Sequence, residues 1–250
     1  MLRVLHLTDP HLFADPEGAL RGRATLASLS DVLAHYTAGA WRADLAVVTG
    51  DLIQDDSAVA YEHFRRLLGG LELPVYCLPG NHDVPDLMRE AVGKPPFFYC
   101  GSVERGNWAI VCLDSCVIGE AGGRVAASEL ARLDKILQDS RMEHAMVCLH
   151  HPPVTMGSRW LDTVGLDNGD ELLQRLSGSE RVRLTIFGHV HQDYDANHHG
   201  IRIIATPSTC RQFTPRSDDF AVDDNPPAYR RFELWPDGGV DQELVWVSQT

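Results

Sequence analysis

Short runs of apolar residues alternate along this chain with segments whose apolar positions recur every three or four residues. The first run, Leu2 to Leu7, ends in Thr8-Asp9-Pro10-His11, and Leu26, Leu29, Leu33 and Tyr36 then follow at helical spacing. "DLAVVTGD" (44–51) reads as a buried strand ending in Thr-Gly-Asp. Tyr61, Phe64, Leu67 and Leu68 mark a second helix, capped by Asp55, Asp56 or Ser57. The same rhythm continues through "PVYCLPGNHD" (74–83), "WAIVCLDS" (108–115), a helix over 128–138, "AMVCLHHPP" (145–153), a short helix over 170–177 and "RLTIFGHVH" (183–191). Beyond 191 the helical spacing stops. "GIRIIATPSTC", "YRRFELW" and "QELVWV" read as antiparallel strands, with "PDGG" (236–239) as a hairpin turn and 213–228 as a loop.

Strands alternating with helices predict an α/β fold with a largely parallel sheet. In such sheets functional groups gather beyond the carboxyl ends of the strands. Five apolar strands here end in Asp, Asn or His. There is no internal repeat or evident linker, and 250 residues suit a single domain over 1–250.

Composition narrows the classes. A net charge of −13 and a pI near 5.3 argue against a long nucleic acid as partner, because its phosphates need Lys and Arg in place of counterions. No apolar run is long enough to span a membrane, and the N-terminus enters a strand pattern without a signal-like segment, so a cytoplasmic location is expected. Cys77, Cys112 and Cys148 sit inside apolar runs, which predicts reduced core thiols.

Five strand-end fragments carry the candidate chemistry: Asp9-x-His11, Gly50-Asp51, Gly80-Asn81-His82-Asp83, His150-His151 and Gly188-His189-x-His191. Each alone is a weak signal; their shared position at strand ends makes the set strong. Nitrogen and oxygen donors without thiolate suit Mn, Fe, Zn or Co. Asp9 and His11, two apart on extended backbone, would project to one side, and His189 with His191 repeats that spacing. Two Asp, one Asn and four His are too many for one ion but fit two ions sharing a carboxylate. Such a pair can clamp both oxygens of an in-line displacement at phosphorus.

In this order, D-x-H, G-D, G-N-H-D, H and G-H-x-H resemble the calcineurin-like metallophosphoesterase superfamily over residues 9 to 191. "GDLIQDDSAVAYEHF", "LPGNHD", "LHHPP", "WLD", "FGHVHQ" and "ATPSTCRQF" extend the likeness to the class III cyclic nucleotide phosphodiesterases over nearly the whole chain. The resemblance implies a four-layer α/β/β/α sandwich of two packed mixed sheets. It implies Asp9, His11 and His191 on one metal, Asn81, His150 and His189 on the other, and Asp51 between them. The ions would be Fe, Mn or Zn. Asn81, His82, His11, Asp51 and His191 would face the substrate, and His82 would protonate the leaving oxygen, with Asp83 orienting its ring. The implied reaction is hydrolysis of 3',5'-cyclic AMP to the 5'-nucleotide by a metal-activated hydroxide. Alternatives are another small phosphodiester (a glycerophosphodiester, a 2',3'-cyclic nucleotide or a nucleotide pyrophosphate) or a non-catalytic scaffold, which would be expected to have lost ligands. Relatives of this kind are often homodimers. The likeness also places Trp160, Asn168 and Gln212 near the substrate pocket. Of the remaining histidines, His6 is expected in the core, His151 in packing or the pocket wall, and His35, His63 and His144 at the surface.

Overall fold

The computed structural model of the chain describes residues 1–139 and 141–248. The first half runs β1 (Leu2–Leu7), the small hairpin β2 (Ala19–Leu20) and β3 (Arg23–Ala24), α1 (Thr25–Ala38), β4 (Leu45–Thr49), α2 (Ala58–Gly69), β5 (Val75–Leu78), α3 (Pro85–Val92) and β6 (Phe97–Tyr99). The second half begins with β7 (Gly101–Arg105), β8 (Trp108–Cys112), α4 (Ala127–Gln138), β9 (His144–Cys148), α5 (Arg159–Asp162), α6 (Gly169–Ser177) and β10 (Val182–Phe187). It closes with β11 (Tyr194–His198), β12 (Ile201–Ala205), β13 (Gln212–Phe213), β14 (Val222–Asp223), β15 (Ala228–Leu234) and β16 (Val240–Trp246).

Two six-stranded sheets form, in the orders β16-β15-β1-β4-β5-β6 and β11-β12-β10-β9-β8-β7. In the first, β1, β4, β5 and β6 are parallel, and β15 and β16 return antiparallel. In the second, β8, β9, β10 and β12 are parallel, with β7 and β11 as antiparallel edges. The segment after 200 was expected to be antiparallel. Instead β12 lies parallel to β10 and is antiparallel only to β11, because the Asn197–Gly200 turn folds β11 back as the outer strand.

Alternation along the strands explains the layering. Val4, Leu45, Val47 and Leu78 of one sheet meet Ile110, Met146, Leu184 and Ile186 of the other in a dry central seam. The opposite faces carry Leu5, Leu7, Ala46 and Val48 against Leu29, Val32, Tyr61 and Phe64 of α1 and α2. In the second sheet they carry Val111, Val147 and Phe187 against Leu130, Leu133, Leu172 and Leu176 of α4 and α6. Strands buried on both faces read as continuous apolar runs, as parallel strands covered by helices must. The result is the four-layer α/β/β/α sandwich. Ser57 supplies the cap of α2, its side chain accepting from Val59 N at 3.1 Å.

Candidate metal centre

The loops after β1, β4, β5, β9 and β10 leave the carboxyl ends of their strands close together. Beyond its last strand residue the chain still pairs: Asp9 N donates to Gly50 O (3.1 Å) and His11 N to Asp51 O (2.9 Å). Gly50 turns at φ +91°, and a Cβ there would sit 2.5 Å from His150 Nδ1, so only glycine lets these loops approach so closely. Asp9, His11, Asp51, His189 and His191 all have φ between 47° and 68°. The extended spacing expected for Asp9-x-His11 and His189-x-His191 is therefore incorrect. These side chains converge by left-handed turns, a conformation that non-glycine residues adopt at a cost and that clusters at functional sites.

Hydrogen bonds fix which ring nitrogen of three of the four histidines faces inward. His11 Nδ1 donates to Gln54 Oε1 (2.8 Å), His150 Nδ1 to Thr49 O (2.7 Å) and His191 Nδ1 to Arg211 O (2.5 Å). A neutral imidazole carries one proton, so in the neutral form each of these three rings presents a lone pair at Nε2. Yet His11 Nε2 and His191 Nε2 lie 3.1 Å apart. His150 Nε2 is 3.2 Å from Asn81 Oδ1 and 3.1 Å from His189 Nδ1. In neutral rings the His11 and His191 Nε2 lone pairs face one another and repel unless a cation sits between them.

The carboxylates complete both groups. Asp9 Oδ1 is 3.4 Å from His191 Nε2 and 3.9 Å from His11 Nε2. Asp51 directs one oxygen to each side, Oδ2 to His11 Nε2 at 3.6 Å and Oδ1 to His150 Nε2 at 3.5 Å. Asp9, His11 and His191 form one potential cation-binding group, and Asp9, Asp51 and His150 another. Every donor but Asn81 is buried, and Asn81 is partly so.

Electrostatics point the same way. Burial disfavours a charged Asp9, but His191 and His150 outweigh it and hold the carboxyl down at about 2. Burial likewise disfavours a charged His150, yet Asp51 and Asp9 raise it to about 9. Burial pushes His11 and His189 down to about 3. The two carboxylates thus draw positive charge into the pocket, while burial keeps His11 and His189 neutral, the form in which an imidazole ligates a metal. A nitrogen and oxygen set of this kind fits divalent transition ions.

Four expectations change. Asp83 does not touch the His82 ring. Its carboxylate accepts from Leu52 N (3.1 Å), Gly80 N (2.9 Å) and Tyr61 OH (2.9 Å), stapling the two loops together. Burial, with the Asp51 charge adding, pushes it up to about 7. The partner of the His82 ring is Gln54, whose Nε2 donates to Nδ1 at 3.1 Å. Asn168 and Gln212 are not in the cavity wall: Asn168 clamps Val125 through its backbone N and O (both 3.0 Å), and Gln212 bonds Ser208 N and O (2.9 and 2.8 Å). His144 is buried rather than at the surface, because β9 begins under Pro236, whose carbonyl accepts from its ring at 3.0 Å. His6 lies in the core as expected, and His151 is buried against Ser115 (2.9 Å).

Gln54 and Thr8 are the functional candidates that sequence reasoning missed. The Thr8 hydroxyl donates to Asp9 Oδ2 at 2.5 Å. Neither had a signal beyond lying next to a motif.

Beside the donors is a cavity of about 290 Å³ lined by His11, Asp51, Asn81, His82, His189 and His191 on one side and by Arg21, Trp160, Phe213 and Phe220 on the other. Phe213 stacks on His191 (4.0 Å, 10°), and Trp160 and Phe220 meet Phe213 edge-on at 5.4 and 5.2 Å. The Arg21 guanidinium lies 4.8 Å over Phe220. Trp160 Nε1 is buried without a partner. A larger groove of about 790 Å³ shares none of the donors and is lined by Glu120, Asp162, Asp167 and Asp170 against Arg124, an unsuitable surface for a phosphate.

Comparison with known proteins gives a consistent picture. Residues 2–193 match the family described as calcineurin-like phosphoesterase. The chain is 37% identical over 244 residues to the 3',5'-cyclic adenosine monophosphate phosphodiesterase CpdA of Vibrio vulnificus, covering 97% of this chain and 89% of the relative. It is 37% identical over 250 residues to the protein of the same name from Escherichia coli K12, covering 100% and 91%. Among solved structures it resembles a dimetal phosphatase from Danio rerio, with a TM-score of 0.68, 18% identity and 99% coverage of both chains.

Proposed function

The chain belongs to the calcineurin-like phosphoesterase family, and from that premise we propose that it hydrolyses 3',5'-cyclic AMP to the 5'-nucleotide at a dinuclear metal centre. The observation that carries the reading is the convergence of imidazole nitrogens and carboxylates beside an aromatic cavity.

Asp9, His11 and His191 would hold one ion, Asn81, His150 and His189 the second, and Asp51 would serve both. The donor set suits Fe, Mn or Zn. Two such cations supply, when bound, positive charge to the phosphate oxygens and a lowered pKa for the attacking water. The remaining work falls to side chains of this chain. Gln54 accepts from His11 and donates to His82, so one amide sets both tautomers. His82 then carries its proton on Nε2, positioned in the cavity wall to donate to the departing 3' oxygen. The Asn81 oxygen faces His150 and His189, which leaves its amide nitrogen to donate to a phosphate oxygen. Trp160, Phe213 and Phe220 offer faces and edges to a purine and exclude water. The unpartnered Trp160 N–H would find an acceptor on the base. At about 290 Å³ the cavity is near the lower limit of the ~300–1,000 Å³ usual for small-molecule sites, which suits a single compact nucleotide. Six free cysteines support a reducing, cytoplasmic setting.

The test is kcat/KM of the Mn-reconstituted protein on 3',5'-cyclic AMP, 2',3'-cyclic AMP, a glycerophosphodiester and an aryl phosphodiester. A preference for the first that Asn81→Ala abolishes is expected. Turnover of the aryl ester alone would leave a phosphodiesterase and remove cyclic AMP as its substrate.

A further inference from the structure

A chain of polar groups crosses the otherwise apolar seam between the two sheets and ends on Asp9. Arg230 Nε lies 3.3 Å from Thr206 Oγ1, and Thr206 Oγ1 lies 2.7 Å from His6 Nδ1. His6 Nε2 is 2.8 Å from Thr49 Oγ1, Thr49 Oγ1 is 2.7 Å from Thr8 Oγ1, and Thr8 Oγ1 is 2.5 Å from Asp9 Oδ2. His6, Thr8, Thr49 and Thr206 are fully buried and Arg230 is 1% exposed. The guanidinium is anchored at the far end by Asp193 (2.5 Å) and Ala205 O (3.0 Å).

The two ends dictate every proton between them. A guanidinium can only donate, and an ionised carboxylate can only accept. Each hydroxyl has one proton. Thr8 places its own on Asp9 and so accepts from Thr49, which in turn accepts from His6 Nε2–H. His6 Nδ1 is then a lone pair that accepts the Thr206 proton, and Thr206 accepts from Arg230. All five hydrogen bonds point toward the metal centre. Chains of this kind polarise one another, and a partly satisfied one in a dry seam would be costly.

We infer that Arg230, Thr206, His6 and Thr49 are positioning residues that, through Thr8, orient and charge-tune the Asp9 carboxylate as a ligand for the first ion. This rests on the reading of Asp9 as a metal ligand. The side chains of Arg230, Thr206, His6, Thr49 and Thr8 do not reach the group attributed to the second ion (Asn81, His150 and His189). That group is touched only through the Thr49 carbonyl, on the His150 ring, and through the Asp9 carboxylate, which accepts the His189 backbone N–H at 3.0 and 3.2 Å. The inference therefore predicts a defect concentrated at one of two ions, the one whose ligand Asp9 is. Partners of this sort are worth ~10–100-fold in metal affinity.

The experiment is a two-step Zn(II) competition titration of the full chain against a chromophoric chelator, for wild type, Thr49→Val and Thr49→Ser. Thr49→Val keeps the shape and the carbonyl but removes the relay. It should weaken one of the two ions ~10–100-fold, leave the other within about twofold, and be rescued by Thr49→Ser. Side-chain ¹⁵N NMR of the Zn-loaded wild type gives a readout that needs no variant: His6 should be the Nε2–H tautomer. An Nδ1–H tautomer, or two unchanged Zn affinities in Thr49→Val, overturns the inference while leaving the metal centre intact. A wild-type chain that binds no Zn overturns both. If Thr49→Val does not fold, the His6 tautomer decides alone.

Discussion

At the scale of single residues, the chemistry depends on proton placement, and Gln54 controls more of it than its place in "GDLIQDD" suggests. Its carbonyl oxygen holds the His11 proton on Nδ1, and its amide holds the His82 proton on Nε2. Gln54→Leu should lower kcat/KM by ~10–100-fold, the usual effect of losing the group that fixes a ligand or acid. Steady-state kinetics on cyclic AMP will check this. Gln54→Glu should keep the His11 contact but, having only acceptors, should draw the His82 proton to Nδ1 and away from Nε2. The candidate metal-binding types and their order were legible in the sequence, because Asp, Asn and His at strand ends have few other uses together. Gln54 was not legible. A glutamine immediately before a pair of loop acids has no periodicity or special backbone to mark it, and only the fold brings its amide between residues 43 and 28 positions away.

At the scale of elements, the loops rather than the strands are the vulnerable parts. Asp83 joins the loops after β4 and β5 through Leu52 N, Gly80 N and Tyr61 OH. Asp83→Ala leaves two buried N–H groups and a hydroxyl without that acceptor, each at ~1–3 kcal/mol. Urea unfolding should show a loss of ~2–5 kcal/mol, allowing for partial rescue by water. Were Asp83 simply the orienter of His82, stability would change little and only kcat would fall. Gly80 makes the same point from the steric side, since a Cβ there would lie 2.5 Å from Asp51 N. The elements that sequence reading missed share a physical reason. β6 has three residues, too few for a period; β7 buries only Val103 and β11 none of its residues, because they are sheet edges. α3 has eight residues, only two of them buried.

At the scale of the molecule, the alternation of strands and helices announced a parallel α/β design, but two sheets rather than one follow from no local pattern. The apolar runs are buried on both faces in either case, so the second sheet entered only with the family resemblance. What the two-sheet arrangement adds is a seam with an embedded histidine. Burial, then the Arg230 charge, pushes His6 down to about 3, whereas an unfolded histidine titrates near ~6.5. Below that pH the unfolded chain takes up a proton that the folded chain refuses. His6 therefore contributes stability that is present above pH ~6.5 and is lost as pH falls toward 3. The slope from this one group approaches ~1.4 kcal/mol per pH unit. Unfolding free energies of wild type and His6→Gln at pH 7.5, 6 and 5 should differ in slope by about one proton. Equal slopes would mean that His6 is protonated in the fold, which would also break the one-way hydrogen-bond chain to Asp9.

The central claim is that seven donors from five loops bind two ions and that hydrolysis needs both. The most direct measurement is a stoichiometric titration. The protein is stripped with chelator and reconstituted with Mn(II) in increments, and bound metal and cyclic AMP hydrolysis are followed together. The account predicts two ions per chain, with activity appearing as the second equivalent is taken up and absent from Asp51→Asn, which loses the carboxylate common to both sites. Saturation at one ion per chain, or full activity in the stripped protein, would contradict it.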